Sequence, residues 1–219
     1  GIPHVRDVEE FPATETQTGI YFDAMRDPSS TAYNMPGLLK IPESIDIAAL
    51  AEAIRALPAR HRLLRAGFSV ASAGLVGRVS ENARLEPETV EGKDRLDAMR
   101  AFVRPFDVSR PPLMRAALWR SPDGETFLLT DMHHLIGDGL SSPLMLRCLD
   151  LSLKGAGRDG QIDFIDYALM CAKRAKDEKA TAYWREALRS APALIPLPFD
   201  ERDPETGVYH RKNEDGISV

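Results

Sequence analysis

The sequence predicts an α/β fold in which a mixed β-sheet is flanked by helices. Segments whose apolar residues recur at helical spacing alternate with short runs of strand-forming residues, an order typical of α/β proteins. Two adjacent strand-like runs, "LMRAALWRS" and "ETFLLTDMHH", are joined by "PDG", a good hairpin signal that makes part of the sheet antiparallel. The chain has 219 residues, 43% of them hydrophobic, which is enough to bury a sizeable core.

The predicted elements follow one another along most of the chain. In order they are a helix at 15–25, a strand at 33–41, a helix from 46 to 58, strands at 62–70 and 75–80, a helix at 94–103, strands at 113–121 and 125–134, a helix from 142, and helices at 161–175 and 177–190. Pro36 favours a sheet edge or a bulge, and Pro58 favours the end or the last turn of its helix. Ser44 or Asp46 can cap that helix, and Gly74 is expected at a turn between two strands.

Two local patterns predict a helix start and a buried helix face. Ser142 followed by Pro143 matches an N-cap and a first helical residue, so a helix is expected to begin there. In the helix before the hairpin, Leu96, Met99 and Val103 recur on one face, which is expected to be the buried one.

Composition and charge exclude several classes of protein. The formal net charge of −5 argues against a general nucleic-acid surface, and no apolar run approaches the roughly 20 residues that span a bilayer. The N-terminal "GIPHVRDVEEF" is mixed and acidic, unlike a secretory signal. Cys148 and Cys171 fall on helical patterns among apolar neighbours, as expected for free thiols in a reducing compartment. We therefore expect a cytoplasmic protein with neither nucleic acid nor membrane as a partner.

The most informative stretch is "TDMHHLIGDG", residues 130–139. Successive side chains of a strand point to opposite faces, so His133 and His134 cannot both enter one pocket. One imidazole is expected to face a cleft, and the other the core or a supporting hydrogen-bond network. Such a diverging pair disfavours a metal site, and the G-x-S-x-G sequence of serine hydrolases is absent. One histidine working without a protein nucleophile remains, suited to accepting a proton from an amine or alcohol, or to orienting it.

The glycine-flanked aspartate after the pair adds a second expectation. Asp138 precedes a helix, so its carboxylate is expected to accept hydrogen bonds from local amides or to pair with an arginine. Gly137 and Gly139 would permit a positive φ or the close approach of a substrate to the backbone.

The segment "MHHLIGDG" resembles the HHxxxDG signature of the condensation domains of nonribosomal peptide synthetases, which belong to the chloramphenicol-acetyltransferase-like superfamily. Other family motifs follow in the same order; the matching segments are "TETQTGIY", "YNMP", "RHRLLRAGF", "RPFDVSRPPLMRAAL", "FIDYA" and "YW". Arg62 departs from the usual glutamate of the second motif, and Met170 from the usual tryptophan of the fourth. The resemblance covers only the first of the family's two lobes. It implies an N-terminal lobe at 1–190 and, at 191–219, a linker that starts the crossover into a missing C-terminal lobe.

The resemblance also implies an activity and roles for individual residues. In the family, two carrier-bound thioesters enter a tunnel between the lobes, and the acceptor's amine attacks the donor's thioester carbonyl. By this resemblance His134 faces the tunnel and either takes the amine proton or positions the amine. His133 and Asp138 have structural roles, with Arg60 as the candidate arginine for Asp138, and the Gly139 amide helps to hold the carbonyl or the acceptor.

The implied partners are donor and acceptor peptidyl carrier proteins, the C-terminal lobe and a neighbouring adenylation domain. No cofactor is bound directly, because the carrier proteins deliver phosphopantetheine arms. Two other functions remain open at this point: a related thioester-dependent acyltransferase acting on an alcohol or a free amine, and a carrier-protein docking module without turnover. An isolated lobe is expected to be inactive alone.

Overall fold

A computed structural model describes residues 2, 4–5, 7–156 and 162–191. The chain divides into two compact units, Gly1–Lys176 and Asp177–Val219, which are described separately. Apart from Ala191, the predicted linker at 191–219 lies outside the described residues. Within the described part, no helix is both long and apolar enough to cross a membrane.

The elements largely follow the predicted order. The strands are β1 (Glu10–Pro12), β2 (Asn34–Lys40), β3 (Ala66–Ala71), β4 (Gly74–Val79), β5 (Glu88–Thr89), β6 (Met114–Arg120) and β7 (Thr126–His133). The helices are α1 (Glu15–Ala24), α2 (Ile47–Arg60), α3 (Arg95–Phe102), α4 (Ser141–Leu153) and α5 (Phe164–Arg174) in the first unit, and α6 (Glu178–Ala187) in the second. The predicted strand at 62–70 begins late, because Arg62–Arg65 form a short 3₁₀ helix ahead of β3.

The described strands form two sheets rather than the single sheet predicted. One has the order β1-β4-β3, and the other has the order β2-β7-β6-β5. Only the short β5 runs parallel to its neighbour, so the α/β class with mixed pairing is confirmed. Pro36 lies on β2, an edge strand, where its missing N–H leaves no ladder bond unmade. Gly124, with φ at +84°, supplies the left-handed residue of the hairpin between β6 and β7.

Two buried clusters hold these layers together. The larger one joins α2 to both sheets, with Leu57 of α2 and Phe68 of β3 both fully buried. The smaller one packs α3 against Trp119 and Phe127 of the hairpin. The predicted α3 face is right for Met99 and Val103, which pack partly buried against this cluster, and wrong for Leu96, which is exposed. Ala98 and Phe102 are the fully buried residues of the helix. The reason is close packing, because a Cβ at Gly92 would lie 2.6 Å from the Ala98 backbone nitrogen, so only a small residue fits at this contact.

The helix ends reflect the side chains that cap them. Asp46 caps α2, accepting from the backbone N–H groups of Ala48 and Ala49, and Pro58 lies in the last turn, as predicted. The predicted start of α4 at Ser142–Pro143 is wrong: the helix begins at Ser141, with Leu140 at the N-cap. An aspartate upstream replaces the missing cap, and it belongs to the site described next.

Candidate active site

The two neighbouring histidines lie where β7 ends, between the partner strands β2 and β6. His133 is the last residue of β7 and is only 4% exposed, whereas His134 is exposed. The structure therefore separates the two side chains as strand geometry predicts. One imidazole is part of the framework, and the other is open to a substrate.

The orientation and proton position of the His133 ring are fixed by the backbone. The Leu135 N–H donates to Nδ1 of His133 at 3.1 Å, so Nδ1 carries no proton and the neutral ring is protonated at Nε2. Burial and, to a smaller extent, the nearby His134 lower the pKa of His133 to about 4. His133 is therefore neutral at pH 7.

Two aromatic side chains pack around the His133 ring. The Phe106 ring meets it edge-on, with centroids 6.0 Å apart and planes at 86°. The Tyr33 ring also lies 6.0 Å away, tilted by 37°. These rings cover much of the imidazole surface, and burial of this kind favours the neutral form of the ring.

His134 is held by its backbone and leaves its ring free. Its N–H donates to the carbonyl oxygen of Tyr33 at 2.9 Å, and the Tyr33 ring stands edge-on to the imidazole at 6.5 Å. Among the described residues, no side chain hydrogen-bonds to the His134 ring. The imidazole is thus placed by a rigid strand end and remains available to an incoming group.

The proposed pairing of Asp138 with Arg60 is wrong. The Asp138 carboxylate accepts instead from the backbone N–H groups of Leu140 and Ser141, both at 3.0 Å, and from the Ser141 hydroxyl at 2.8 Å. Arg60 donates instead to the hydroxyl of Ser152. Ser152 follows Ser141 by eleven residues in α4, a distance of roughly 16 Å along the helix axis. Asp138 therefore acts as the cap of α4, which is the other local role expected for it.

The two glycines around Asp138 do not adopt a positive φ, contrary to the conformational expectation. Gly137 is needed for close packing, since a Cβ there would lie 2.6 Å from the sulfur of Met132. Gly139 is exposed, and a Cβ built on it would meet nothing within 4 Å. Open space next to the Gly139 backbone is therefore compatible with the approach of a substrate.

A buried ion pair beside the histidines was missed by the sequence reasoning. Asp131 on β7 is fully buried, and its Oδ2 lies 2.6 Å from Asn34 Nδ2 and 3.4 Å from a guanidinium nitrogen of Arg115. Asp131 and His133 are two residues apart on one strand and share a face. A charged residue at an inward position of an apolar strand was the available signal, but its partner could be identified only from the register of β6 against β7.

Arg62, which departs from the family pattern, forms a second buried charge cluster. It donates to Asp163 at 2.7 and 2.9 Å and to Asp166 at 3.1 Å. Burial alone would raise the pKa of Asp166, but hydrogen bonds from His4 and two backbone amides, together with the Arg62 charge, hold it at about 2. The unusual arginine is thus matched by two carboxylates on α5 and its N-cap. Asp166 accepts from His4 and the Val5 amide, and Arg62 donates to the Val5 carbonyl, so the cluster holds residues 4–5.

An open cleft of about 720 Å³ lies on the His133 side of the strand end. Its lining includes Asp23, Tyr33, Phe106, Asp107 and His133. Within the residues that the structure describes, no group of three or more histidine, cysteine, aspartate or glutamate side chains is placed to hold a metal ion. The cleft wall combines the His133 imidazole with aromatic rings and carboxylates.

Comparison with protein families gives one match that covers nearly the whole chain. A family model described as "Condensation domain" matches residues 8–215. This span contains the histidine pair, both buried charge clusters and every described helix and strand.

Curated relatives show the same likeness over a small part of much longer proteins. Surfactin synthase subunit 2 of Bacillus subtilis is 30% identical over 199 residues, covering 90% of this chain and 6% of that protein. Bacitracin synthase 1 of Bacillus licheniformis is 28% identical over 233 residues, covering 100% of this chain and 4% of its own length. The chain thus spans only a small fraction of the relatives that it matches.

Solved structures share the fold at low sequence identity. The condensation domain of monacolin K polyketide synthase has a TM-score of 0.73 at 18% identity, covering 97% of this chain and 48% of that one. The starter condensation domain of rhizomide synthetase has a TM-score of 0.68 at 16% identity, with coverage of 85% and 49%. The chain corresponds to about half of each solved domain.

Proposed function

The chain belongs to the condensation-domain family, and from this premise we propose that it supplies the His134 half of an amide-forming site. The site would join a carrier-bound acyl or peptidyl thioester to the amine of a carrier-bound acceptor. The observation that carries the proposal is the exposed His134 ring at the end of a strand whose preceding histidine is buried, neutral and fixed.

The reaction needs no nucleophile from the protein. The acceptor amine attacks the thioester carbonyl, the new C–N bond forms, and the C–S bond breaks to release the donor thiol. The amine loses one proton, and the departing sulfur gains one. In this proposal His134 accepts the amine proton or orients the amine, and both roles require an unobstructed imidazole.

The neighbouring residues supply rigidity to this step. His133 anchors the strand end through its bond from the Leu135 amide. Asp138 orders the loop by capping α4, and Gly139 leaves room beside its backbone for the carbonyl or the acceptor. Arg60 has no place in this arrangement, because it contacts α4 well away from the loop.

The partners in this proposal are donor and acceptor peptidyl carrier proteins, whose phosphopantetheine arms bring both substrates as thioesters. Tethering makes the encounter effectively intramolecular, which can lower a barrier by several kcal/mol. A neighbouring adenylation domain would load a carrier. The proposal also includes a C-terminal lobe that completes the tunnel, because this chain matches about 49% of a solved condensation domain. We expect the 219-residue chain alone to turn over negligibly.

The test uses the parent polypeptide that contains this chain, supplied with one carrier loaded with an acyl group and another loaded with an amino acid. Intact-protein mass spectrometry follows the transfer of the acyl group to the acceptor arm. We expect the amide product from the unsubstituted protein and its loss in His134→Ala. Arg120→Ala, an exposed position on β6, is the control and should retain full product.

The other outcomes separate the remaining functions. Product formation by His134→Ala at the unsubstituted rate would refute the assignment of His134. Transfer only to a hydroxyl acceptor would indicate an ester-forming acyltransferase. Carrier binding without any product would indicate a docking module.

A further inference from the structure

We propose that Arg115 and Phe106 are positioning residues that hold the His133 ring and, through it, the reactive His134. This role rests on the proposed function, since it describes how the same site is kept in order. It is carried by a continuous set of contacts that runs from a buried ion pair to the histidine ring.

Arg115 fixes the segment that contains Phe106. Its two terminal nitrogens donate to the carbonyl oxygens of Arg104 and Pro105, each at 2.6 Å. Its guanidinium carbon lies 3.6 Å from the centroid of the Phe106 ring. A planar guanidinium can stack on the ring and reach both carbonyls at once, which an ammonium group cannot do.

Asp131 fixes Arg115 in turn. The two residues are direct partners in the register of β6 against β7, and Arg115 is nearly buried, with 14% of its side chain exposed. Asn34, the register partner of His133 on β2, donates to the same carboxylate at 2.6 Å and to the Arg104 carbonyl at 2.9 Å. These contacts, made by residues on β7 and β2, therefore hold the Arg115 guanidinium in one orientation.

Phe106 transmits this position to the histidines. Its ring meets the His133 ring edge-on at 6.0 Å, a favourable aromatic arrangement. The Leu135 N–H, which donates to Nδ1 of His133, follows His134 directly in the chain, so displacement of the His133 ring would break a bond that fixes the backbone beside His134. A misplacement of about 1 Å in a reacting group can reduce turnover by about a hundredfold.

The test compares Phe106→Leu with Phe127→Leu. Phe127 is the matched control, because it is also buried and has an arginine near its ring, with the Arg95 guanidinium 4.9 Å away. It lies on the same strand as His133 but packs against Trp119 in the α3 cluster. Two readouts are taken: the ¹⁵N and ¹H signals of the His133 ring in the isolated chain, and kcat and KM of the parent polypeptide with loaded carriers.

We expect Phe106→Leu to shift the His133 ring signals and to lower kcat about tenfold to a hundredfold, with little change in the KM for the acceptor. Phe106→Tyr, which restores an aromatic edge, should recover both readouts, and Arg115→Lys should resemble Phe106→Leu. Phe127→Leu should leave the His133 signals in place.

Equal losses of kcat in Phe106→Leu and Phe127→Leu would overturn the proposal, because they would reflect general loosening of the sheet. Unchanged His133 signals in Phe106→Leu, or shifted signals with kcat equal to that of the control, would also overturn it. Retained activity in His134→Ala would contradict the proposed function. It would leave the positioning role to be judged separately, because the ring signals of His133 would still report on the contact with Phe106.

Discussion

Two aspartates flank the histidine pair, and their surroundings differ completely. Asp131, two residues before His133, is fully buried and bonded to Asn34 and Arg115. Asp138, four residues after His134, is exposed, and its carboxylate accepts from the amides and hydroxyl at the start of α4. An arginine partner was expected for Asp138, but it is Asp131 that has one, and that arginine is Arg115 rather than Arg60.

This contrast shows how the strand end is built. On the buried side, the ion pair, the side-chain amide of Asn34 and two aromatic rings fix His133 within the sheet. On the exposed side, a capped helix start holds a loop whose backbone remains accessible at Gly139. The catalytic group in our proposal thus lies between a rigid framework and an open edge.

The largest effect is expected from Asp131→Ala. The substitution leaves the Arg115 guanidinium nearly buried without its counter-charge, which destabilises proteins by about 3 kcal/mol or more. Denaturant unfolding measures the free energy directly. Asp131→Asn is the milder companion, since its amide oxygen can still accept from Asn34. A loss below about 1 kcal/mol for the alanine variant would show that the buried pair does not hold the framework.

A second effect should appear as a dependence of stability on pH. The folded pKa of His133 is about 4, below the ordinary value of about 6.5, so the unfolded chain binds more protons between these values. Its contribution to stability is therefore complete above about pH 6.5 and is lost as the pH falls towards 4, amounting to about 3 kcal/mol.

The matched variant for this measurement is His133→Asn, whose side-chain oxygen can accept from the Leu135 amide but does not titrate in this range. The unfolding free energies of the unsubstituted protein and of His133→Asn are compared from pH 7 to pH 4. The difference between the two values should narrow as the pH falls. A constant difference across this range would mean that His133 is not kept neutral by burial.

A smaller effect is expected from Asp138→Ala. Removing a helix cap lowers the free energy of unfolding by about 1 kcal/mol, and Asp138→Asn should be nearly neutral because asparagine caps equally well. Thermal and denaturant unfolding of the three proteins give these values. If Asp138→Ala were as harmful as Asp131→Ala, the contrast between a loop cap and a buried framework would be wrong.

The sequence predicts several features that depend on neighbouring residues, although it misplaces the start of α4. The capping aspartate of α2, the proline in its last turn and the edge position of Pro36 follow from backbone chemistry that acts over a few residues. The division of the two histidines follows from strand alternation in the same way, and the structure confirms it.

What the sequence does not reveal depends on register and packing between distant segments. Arg115 meets Asp131 only because β6 and β7 pair in one particular alignment. The burial of Ala98 on α3 was not predicted because it depends on the close approach of Gly92, a contact that hydrophobic spacing does not encode. Of the two partners expected for Asp138, the local amides are correct and Arg60 is not, because Arg60 bonds Ser152 far along α4, a separation that depends on helix packing.

The most direct test of the central claim measures two properties of one variant, His134→Ala in the parent polypeptide. We expect its amide product to fall by about a hundredfold or more, in the range typical of a lost general base. Its free energy of unfolding should stay within about 0.5 kcal/mol of the unsubstituted protein, since the side chain is exposed. Undiminished product formation, or a loss of product that merely follows unfolding, would contradict the assignment of His134 as the substrate-facing group.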